Sequence, residues 1–345
     1  MTESPDFTPV NLLTGFLGSG KTTLLQRLLG DPALADTAVL INEFGEVGLD
    51  HHLLERIDTH TVLLRSGCLC CTVRGELADA MRDLHSRRGR GLVPPFRRLV
   101  IETTGLADPF PVVSTIHAEP MLKHHFRLGN VITTVDAVNG RAQLERHYES
   151  VKQIAVADRI VLTKTDLADV AEIAGLDVRI RVLNPAAPVY RAADNALDAD
   201  ALLARDSFDL AIDSMALRRW FGAEMPSTGH EHEHGHRDSH RDDVSAFALT
   251  FDQPLDWTMF GVWLSMLLNR HGERVLRVKG IIAVVGEAAP VAIHGVQYLV
   301  HPPIHMRAWP DADHRSRIVF IVQGLDPAAI KRSLLAFLGR KMALP

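Results

Sequence analysis

Outside one window, Cys68 to Cys71, this 345-residue chain contains no cysteine. Its three cysteines are odd in number and two are adjacent, so they do not form the disulfide framework that staples small secreted domains. Free thiols suit a reducing compartment, and the expected location is cytoplasmic. Long apolar runs are also lacking: none approaches the roughly 18 residues of a membrane span. The opening stretch MTESPDFTPVNLLTG has no basic region and no long apolar region, so no signal peptide is expected. Excess positive charge is absent too. A net charge of −5 lacks the electrostatic footprint of a nucleic-acid binder. Neither nucleic acid nor membrane is therefore expected as a partner, and the chain shows no internal repeat.

An apolar content of 46% is ample for buried cores, and the length suits two domains at roughly 150 residues each. Over the first two hundred residues, strand-like runs alternate with helical patterns. VNLLTGF, TAVLIN, HTVLLR, RRLVIETTG, NVITTVDAV and DRIVLTKTD are apolar runs, most of which end in polar loops. KTTLLQRLL and GELADAMRDLHSRRG carry helical spacing. Such alternation predicts an α/β fold with a mostly parallel sheet and helices on both faces. Ligands bind at the carboxyl ends of those strands. From Met215 the pattern fails, and MPSTGHEHEHGHRDSHRDD reads as an exposed, disordered linker. Beyond it, SAFALTFDQPLD, RVLRVKGIIAVVG, VAIHGVQYLVH and RSRIVFIVQG read as four strands, with helices in FGVWLSMLLNRHG and PAAIKRSLLAFLGR. The expected organisation is a P-loop domain over 1–214, a flexible linker over 215–244 and a small α+β domain over 245–345.

Gly15-Phe-Leu-Gly18-Ser19-Gly20-Lys21-Thr22 fits G-x-x-x-x-G-K-[ST] in full, after a predicted strand and opening a predicted helix. Glycines let backbone N–H groups curl toward phosphate oxygens, and the helix N-terminus adds positive potential. Lys21 is expected to reach the β- and γ-phosphates, and the Thr22 hydroxyl to ligate Mg²⁺, with Thr23 alongside. Thr163-Lys164-Thr165-Asp166 ends the run DRIVL and is similar to the guanine-reading [NT]KxD element. An aspartate there accepts from guanine N1 and N2, and the lysine stem covers the base. Threonine at the first position removes one amide contact. The element favours GTP over ATP, which disfavours an ATP-dependent kinase. Glu102-Thr-Thr-Gly105 ends the run RRLVI. Glu102 is expected to hold Mg²⁺ directly or through water, and Gly105 to offer its N–H to a γ-phosphate and hinge a switch loop. Lys21, Glu102 and Gly105 are the candidate catalytic groups. Asp136, ending NVITTVD, reads equally as a sheet-end cap or a functional group.

Cys68, Cys70 and Cys71 follow HTVLLR and precede a helical segment, where the helix dipole favours thiolates. Closely spaced soft ligands suit Zn²⁺, Cu(I) or another thiophilic metal. Three sulfurs leave a tetrahedral shell incomplete, to be filled by water, Glu43, Glu46 or a histidine. An open shell suits a metal that is passed on. Buried structural cysteines or a redox pair are the competing readings. Asn42-Glu43-Phe44-Gly45-Glu46 occupies the place of a first switch, where Glu43 and Glu46 either link nucleotide state to the thiolates or remain solvated loop carboxylates. His230, His232, His234 and His236 alternate with carboxylates or glycine, and His240 follows. Such a run wraps metal loosely through imidazole nitrogens, or is a solvated linker.

In order, GFLGSGKTTLL, INEFGEVGLD, SGCLCC, ETTGLADP, VDAV and LTKTD resemble the CobW/YjiA-like metal-linked P-loop GTPases. LRVKGI, GVQYLVHPP and RSRIVFI resemble that family's C-terminal domain, so the likeness covers nearly the whole chain. The resemblance implies a GTPase that binds Zn²⁺ or Co²⁺ and serves as a metallochaperone. It carries metal binding to Cys68, Cys70 and Cys71, phosphate binding to Gly15 through Thr23, and guanine binding to Lys164 and Asp166. Some members place a carboxylate just before the switch asparagine; here that residue is Ile41, so a metal site using it is absent or altered. The expected activity is slow GTP hydrolysis gated by metal, since no catalytic glutamine or arginine finger stands out. GTP, a metal ion and a client metalloprotein are the expected partners, and the C-terminal domain is expected to dock the client or build a homodimer. A narrower reading in the same class is a cobalt-handling factor in cobalamin synthesis, and one from a different class is a nucleotide-dependent, client-specific metalloenzyme activator with little turnover of its own. The usual affinity order places zinc ahead of cobalt on thiolates.

Overall fold

The computed structural model describes residues 7–41, 62–65, 73–194, 197, 199, 202–203 and 244–339. They belong to two compact units. The first is built on a parallel sheet. Its strands are β1 (Thr8–Gly15), β2 (Thr37–Ile41), β3 (Val62–Arg65), β4 (Arg98–Glu102), β5 (Phe126–Asp136), β6 (Arg159–Thr163) and β7 (Val189–Arg191). The order across the sheet is β3-β2-β4-β1-β5-β6-β7, and every neighbouring pair is parallel. β1 lies at the centre and is almost wholly buried, as a strand covered on both faces must be.

Helices α1 (Lys21–Leu29), α2 (Val73–Gly89), α3 (Phe110–Ala118), α4 (Leu122–His125), α5 (Gly140–Arg146), α6 (Tyr148–Val156) and α7 (Val170–Leu183) connect the strands. The twofold alternation of strand side chains sorts them onto two faces. Leu13, Val39, Val100, Ile132 and Val161 form one buried cluster with Leu24, Leu25 and Leu28 of α1. Thr133, next to Ile132 and pointing the other way, donates its hydroxyl to Gln153 O of α6 at 2.8 Å. Helices thus cover both faces, as the alternating pattern predicts. The register aligns the carboxyl ends that matter. Leu13 pairs with Glu102, Gly15 with Thr134, and Asp136 with Thr163. On the other flank, Ile41 pairs with both Glu102 and Arg65.

The second unit is a six-stranded sheet ordered β11-β10-β9-β13-β8, with β12 also on β10, and its pairs are antiparallel. The strands are β8 (Val244–Phe251), β9 (Val275–Ile282), β10 (Val291–Val296), β11 (Leu299–Val300), β12 (Ile304–His305) and β13 (Ser316–Gln323). α8 (Trp257–His271) and α9 (Pro327–Phe337) cover one face. Phe260, Trp263, Leu264, Ile330 and Leu334 pack there on Phe247, Val278, Ile318 and Phe320. VAIHGVQYLVH, expected as one strand, is instead a hairpin. Gly295 pairs with Val300 and Val296 with Leu299, so Gln297 and Tyr298 form the turn, with Gln297 at φ 51°. A left-handed glutamine leaves no glycine or asparagine signal for a turn.

Candidate functional site

Where β1 ends, the chain makes a turn that depends on its glycines. Gly15 lies at φ 143° and Gly18 at φ 69°, in the region L-residues avoid. A Cβ at Gly15 would sit 2.3 Å from Thr134 Oγ1. Around Gly18 no described residue lies within 4 Å of a built Cβ. Ser19 N donates to Phe16 O at 3.1 Å and closes the turn. α1 starts directly at Lys21 with Gly20 as its N-cap and no side-chain cap, so its first amides remain oriented for an anion. Lys21 Nζ donates to Gly15 O at 3.0 Å and Phe16 O at 3.2 Å, arching over the loop. Thr22 Oγ1 donates to Glu102 Oε1 at 2.6 Å, bringing the two expected magnesium ligands together although 80 residues separate them. That pair is a hard oxygen donor set of the kind Mg²⁺ takes, and the residues fit the ion. Thr23 is exposed on the first turn of α1. Ser19 is fully buried, bonded through Oγ to Thr134 Oγ1 at 2.6 Å, and its role here is to anchor the loop.

The TKTD loop is tied to the same turn. Thr163 Oγ1 donates to Ser19 O at 2.8 Å, so the threonine that replaces asparagine braces the phosphate loop. Lys164, at φ 53°, donates to Gly18 O at 2.8 Å and to Asp136 Oδ2 at 2.6 Å. Asp136 also accepts from Val138 N at 2.9 Å, Asn139 N at 3.2 Å and Asn139 Nδ2 at 3.0 Å. Burial pushes its pKa up, but the bonds from Lys164, from the Asn139 side chain and from the backbone amides outweigh this and hold it below the ordinary carboxylate value. The geometry supports the reading of Asp136 as a strand-end cap, and it also holds the Lys164 ammonium. Asp166 is exposed beyond it. Arg27 of α1 reaches across to the carbonyls of Ala192 and Asp194, fixing the loop after β7. Nothing in the sequence marks Arg27, since its partners are about 165 residues away.

The loop after β4 lies directly on the phosphate turn. Thr103 N donates to Leu13 O at 2.9 Å, and Thr103 Oγ1 to Thr14 Oγ1 at 3.0 Å. At Gly105 a Cβ would stand 2.5 Å from Leu17 N, so glycine is required by the close approach. Phe16 stacks on His147 at 4.5 Å between ring centroids. Asp108 accepts from Phe110 N at 3.0 Å and pairs with Lys152 at 3.0 Å. Burial, with the charge of Asp108 adding to it, pushes the Tyr148 hydroxyl up to about 12. Asp108 lies within ETTGLADP, but no motif announces Lys152 as its partner.

Cys68, Cys70, Cys71, Glu43, Glu46, His230, His232, His234 and His236 lie outside the described residues. Among the described residues no group of three or more His, Cys, Asp or Glu is placed to hold a metal ion. The strands that lead toward the cysteines and the first switch are described. Arg65, Ile41 and Glu102 end β3, β2 and β4 at one level of the sheet. At strand spacings near 4.8 Å, the backbone of Arg65 is on the order of 10 Å from that of Glu102. No described helix is long and apolar enough to cross a membrane.

The family of the CobW/HypB/UreG nucleotide-binding domain matches residues 9–191, and that of the cobalamin synthesis protein CobW C-terminal domain matches residues 244–338. The zinc chaperone YjiA of Escherichia coli K12 is 36% identical over 312 residues, which cover 90% of this chain and 93% of that protein. The zinc chaperone CobW of Pseudomonas aeruginosa is 31% identical, covering 94% and 90%. The crystal structure of Zn(II)-bound YjiA GTPase from E. coli aligns with a TM-score of 0.69 at 30% identity, over 97% of this chain and 99% of that one. With a phosphate turn on β1, matching family models across both units and a full-length structural likeness, the chain belongs to the CobW/HypB/UreG family and carries the CobW C-terminal domain.

Proposed function

We propose that this chain is a GTP-hydrolysing zinc chaperone. It carries the ion as cargo on Cys68, Cys70 and Cys71 and hands it to a client metalloprotein when GTP is hydrolysed. The observation that carries the reading is the register of strand ends. Glu102, at the phosphate turn, is in line with Ile41, which leads into the first switch segment, and with Arg65, which leads into the cysteines. A shift at the nucleotide therefore has a short route to the strand ends that precede the first switch and the cysteines in sequence.

In this reading GTP lies along the turn from Gly15 to Thr22, held by the N-terminal amides of α1 and by Lys21. Lys21 exchanges its present carbonyl partners for phosphate oxygens. Thr22 and Glu102 would hold Mg²⁺, which supplies charge neutralisation at the β- and γ-phosphates when bound. Gly105 N–H senses the γ-phosphate. Lys164 covers the guanine and Asp166 accepts from its N1 and N2. Zinc is favoured over cobalt on three thiolates. The unit on β8–β13 serves client docking or homodimer formation, and the working domain limits are 1–214, 215–244 and 245–345.

Zinc affinity under reducing conditions, measured by competition with a chromophoric chelator, tests this. It is measured without nucleotide, with GDP and with a non-hydrolysable GTP analogue. The expected result is an affinity that differs between GDP and the triphosphate analogue and is lost when Cys68→Ser, Cys70→Ser and Cys71→Ser are combined. Metal must then change nucleotide affinity by the same factor. Affinity indifferent to both nucleotide and cysteines refutes the chaperone mechanism.

A further inference from the structure

We infer that Gln153, on α6, is a positioning residue for the switch loop, setting Gly105 against the phosphate turn so that the site distinguishes GTP from GDP. The inference rests on the reading of Gly105 as the γ-phosphate sensor. Gln153 is 1% exposed. Its Nε2 donates to Gly105 O at 3.1 Å and to Ala107 O at 3.2 Å, so both amide hydrogens bond the loop on either side of Leu106. Its own backbone carbonyl accepts from Thr133 Oγ1 at 2.8 Å, which ties this turn of α6 to the central strand β5. The loop is thereby referenced to the rigid sheet.

The amide orientation is fixed by its surroundings, because the reverse flip would set an oxygen against two carbonyls. Among the described residues that leaves Oε1 buried without a hydrogen-bond partner. A buried acceptor left alone is destabilising. An apolar side chain of similar length would fill the space without that penalty, so what glutamine contributes here is the pair of donated bonds. Their target is the loop that must approach the phosphate turn. A Cβ on Gly105 would be 2.5 Å from Leu17 N and 2.7 Å from Leu17 Cα, so Gly105 is already in contact with that turn. The neighbouring Lys152 pairs with Asp108 at 3.0 Å and restrains the far end of the same loop. Together, α6 holds residues 105–108 at three points. The amide of Gly105 is in this way preorganised and is not recruited from solvent when the nucleotide arrives.

Displacement of a fluorescent GDP from the full chain by GDP and by a non-hydrolysable GTP analogue tests this. The variants are Gln153→Met, which keeps the volume and removes the donors, and Lys152→Met at the more accessible end. Thermal unfolding is followed in parallel. Gln153→Met is expected to keep GDP affinity within about twofold and to lower the preference for the triphosphate about tenfold, the size set by losing one or two hydrogen bonds. Lys152→Met is expected to act in the same direction, by about threefold. Equal loss for both nucleotides, or an unchanged preference in a folded Gln153→Met protein, overturns the inference. If Gln153→Met does not fold, Lys152→Met decides it, and an unchanged preference there is the overturning result. Gly105→Ala separates the two claims. If it abolishes the preference while Gln153→Met does not, the sensor stands and the positioning role falls. If it leaves the preference intact, both fall.

Discussion

Lys164 sits at φ 53°, an uncommon conformation for a residue with a Cβ, and its ammonium explains why it stays there. Asp136, 2% exposed in its side chain, and Gly18 O both bind Nζ. One lysine thus links the turn after β1, the end of β5 and the TKTD loop. Asp136→Asn keeps the shape and removes the charge. It is expected to lower stability by about 1–2 kcal/mol, a modest figure because Lys164 is partly solvated. Guanine-nucleotide affinity should fall about tenfold by the same loss. The pH dependence has a definite sign. The folded pKa of Asp136 lies below that of the unfolded chain. Its stabilisation is therefore full above the unfolded value, about 3.9, and fades as pH falls through the lower folded value. Urea unfolding should show a constant gap between wild type and Asp136→Asn from pH 8 to about pH 5, closing only in stronger acid. A gap that closes near neutrality would assign the effect to another group.

At the scale of elements, what was legible in the sequence is what is local. The phosphate turn and the strand ends at Glu102 and Asp136 are contiguous motifs, and their chemistry follows from residue type and spacing. Gln153 and Arg27 were not legible, because their partners lie about 48 and 165 residues away and only the packed sheet brings them together. The hairpin at Gln297 was hidden for a different reason, since a non-glycine residue takes the left-handed position there. The helix starts of the second unit are local again. Asp256 Oδ1 accepts from Met259 N at 2.9 Å, and Asp326 accepts from Ala328 N at 2.9 Å, with Pro327 opening α9. These caps satisfy amides that α8 and α9 would otherwise leave unpaired. Asp256→Ala should therefore destabilise the second unit by about 0.5–2 kcal/mol. Calorimetry should show its transition lowered, with nucleotide affinity unchanged. A loss of nucleotide binding would mean that the cap serves more than its own helix.

For the whole molecule, the proposed function raises the question of how one chain would provide both a transfer site and a reserve of metal. In that reading three clustered thiolates would make a tight site of fixed stoichiometry. Imidazoles alternating with carboxylates from His230 to His240 would make a looser one, with several ions exchanging among partial ligand sets. Each imidazole must be neutral to bind, so this second capacity depends on pH around 6.5. Removal of residues 230–240 should therefore lower the zinc bound per chain in equilibrium dialysis at pH 7.5. The difference from wild type should shrink below about pH 6, where protons compete with zinc for the imidazole nitrogens. GTP turnover should be unchanged, because the run lies outside the phosphate, ETTG and TKTD motifs in the sequence. Unchanged zinc stoichiometry would leave the cysteines as the sole cargo site. Reduced turnover would instead make the histidine run part of the gate, and metal reaching it would act on the nucleotide site as an effector.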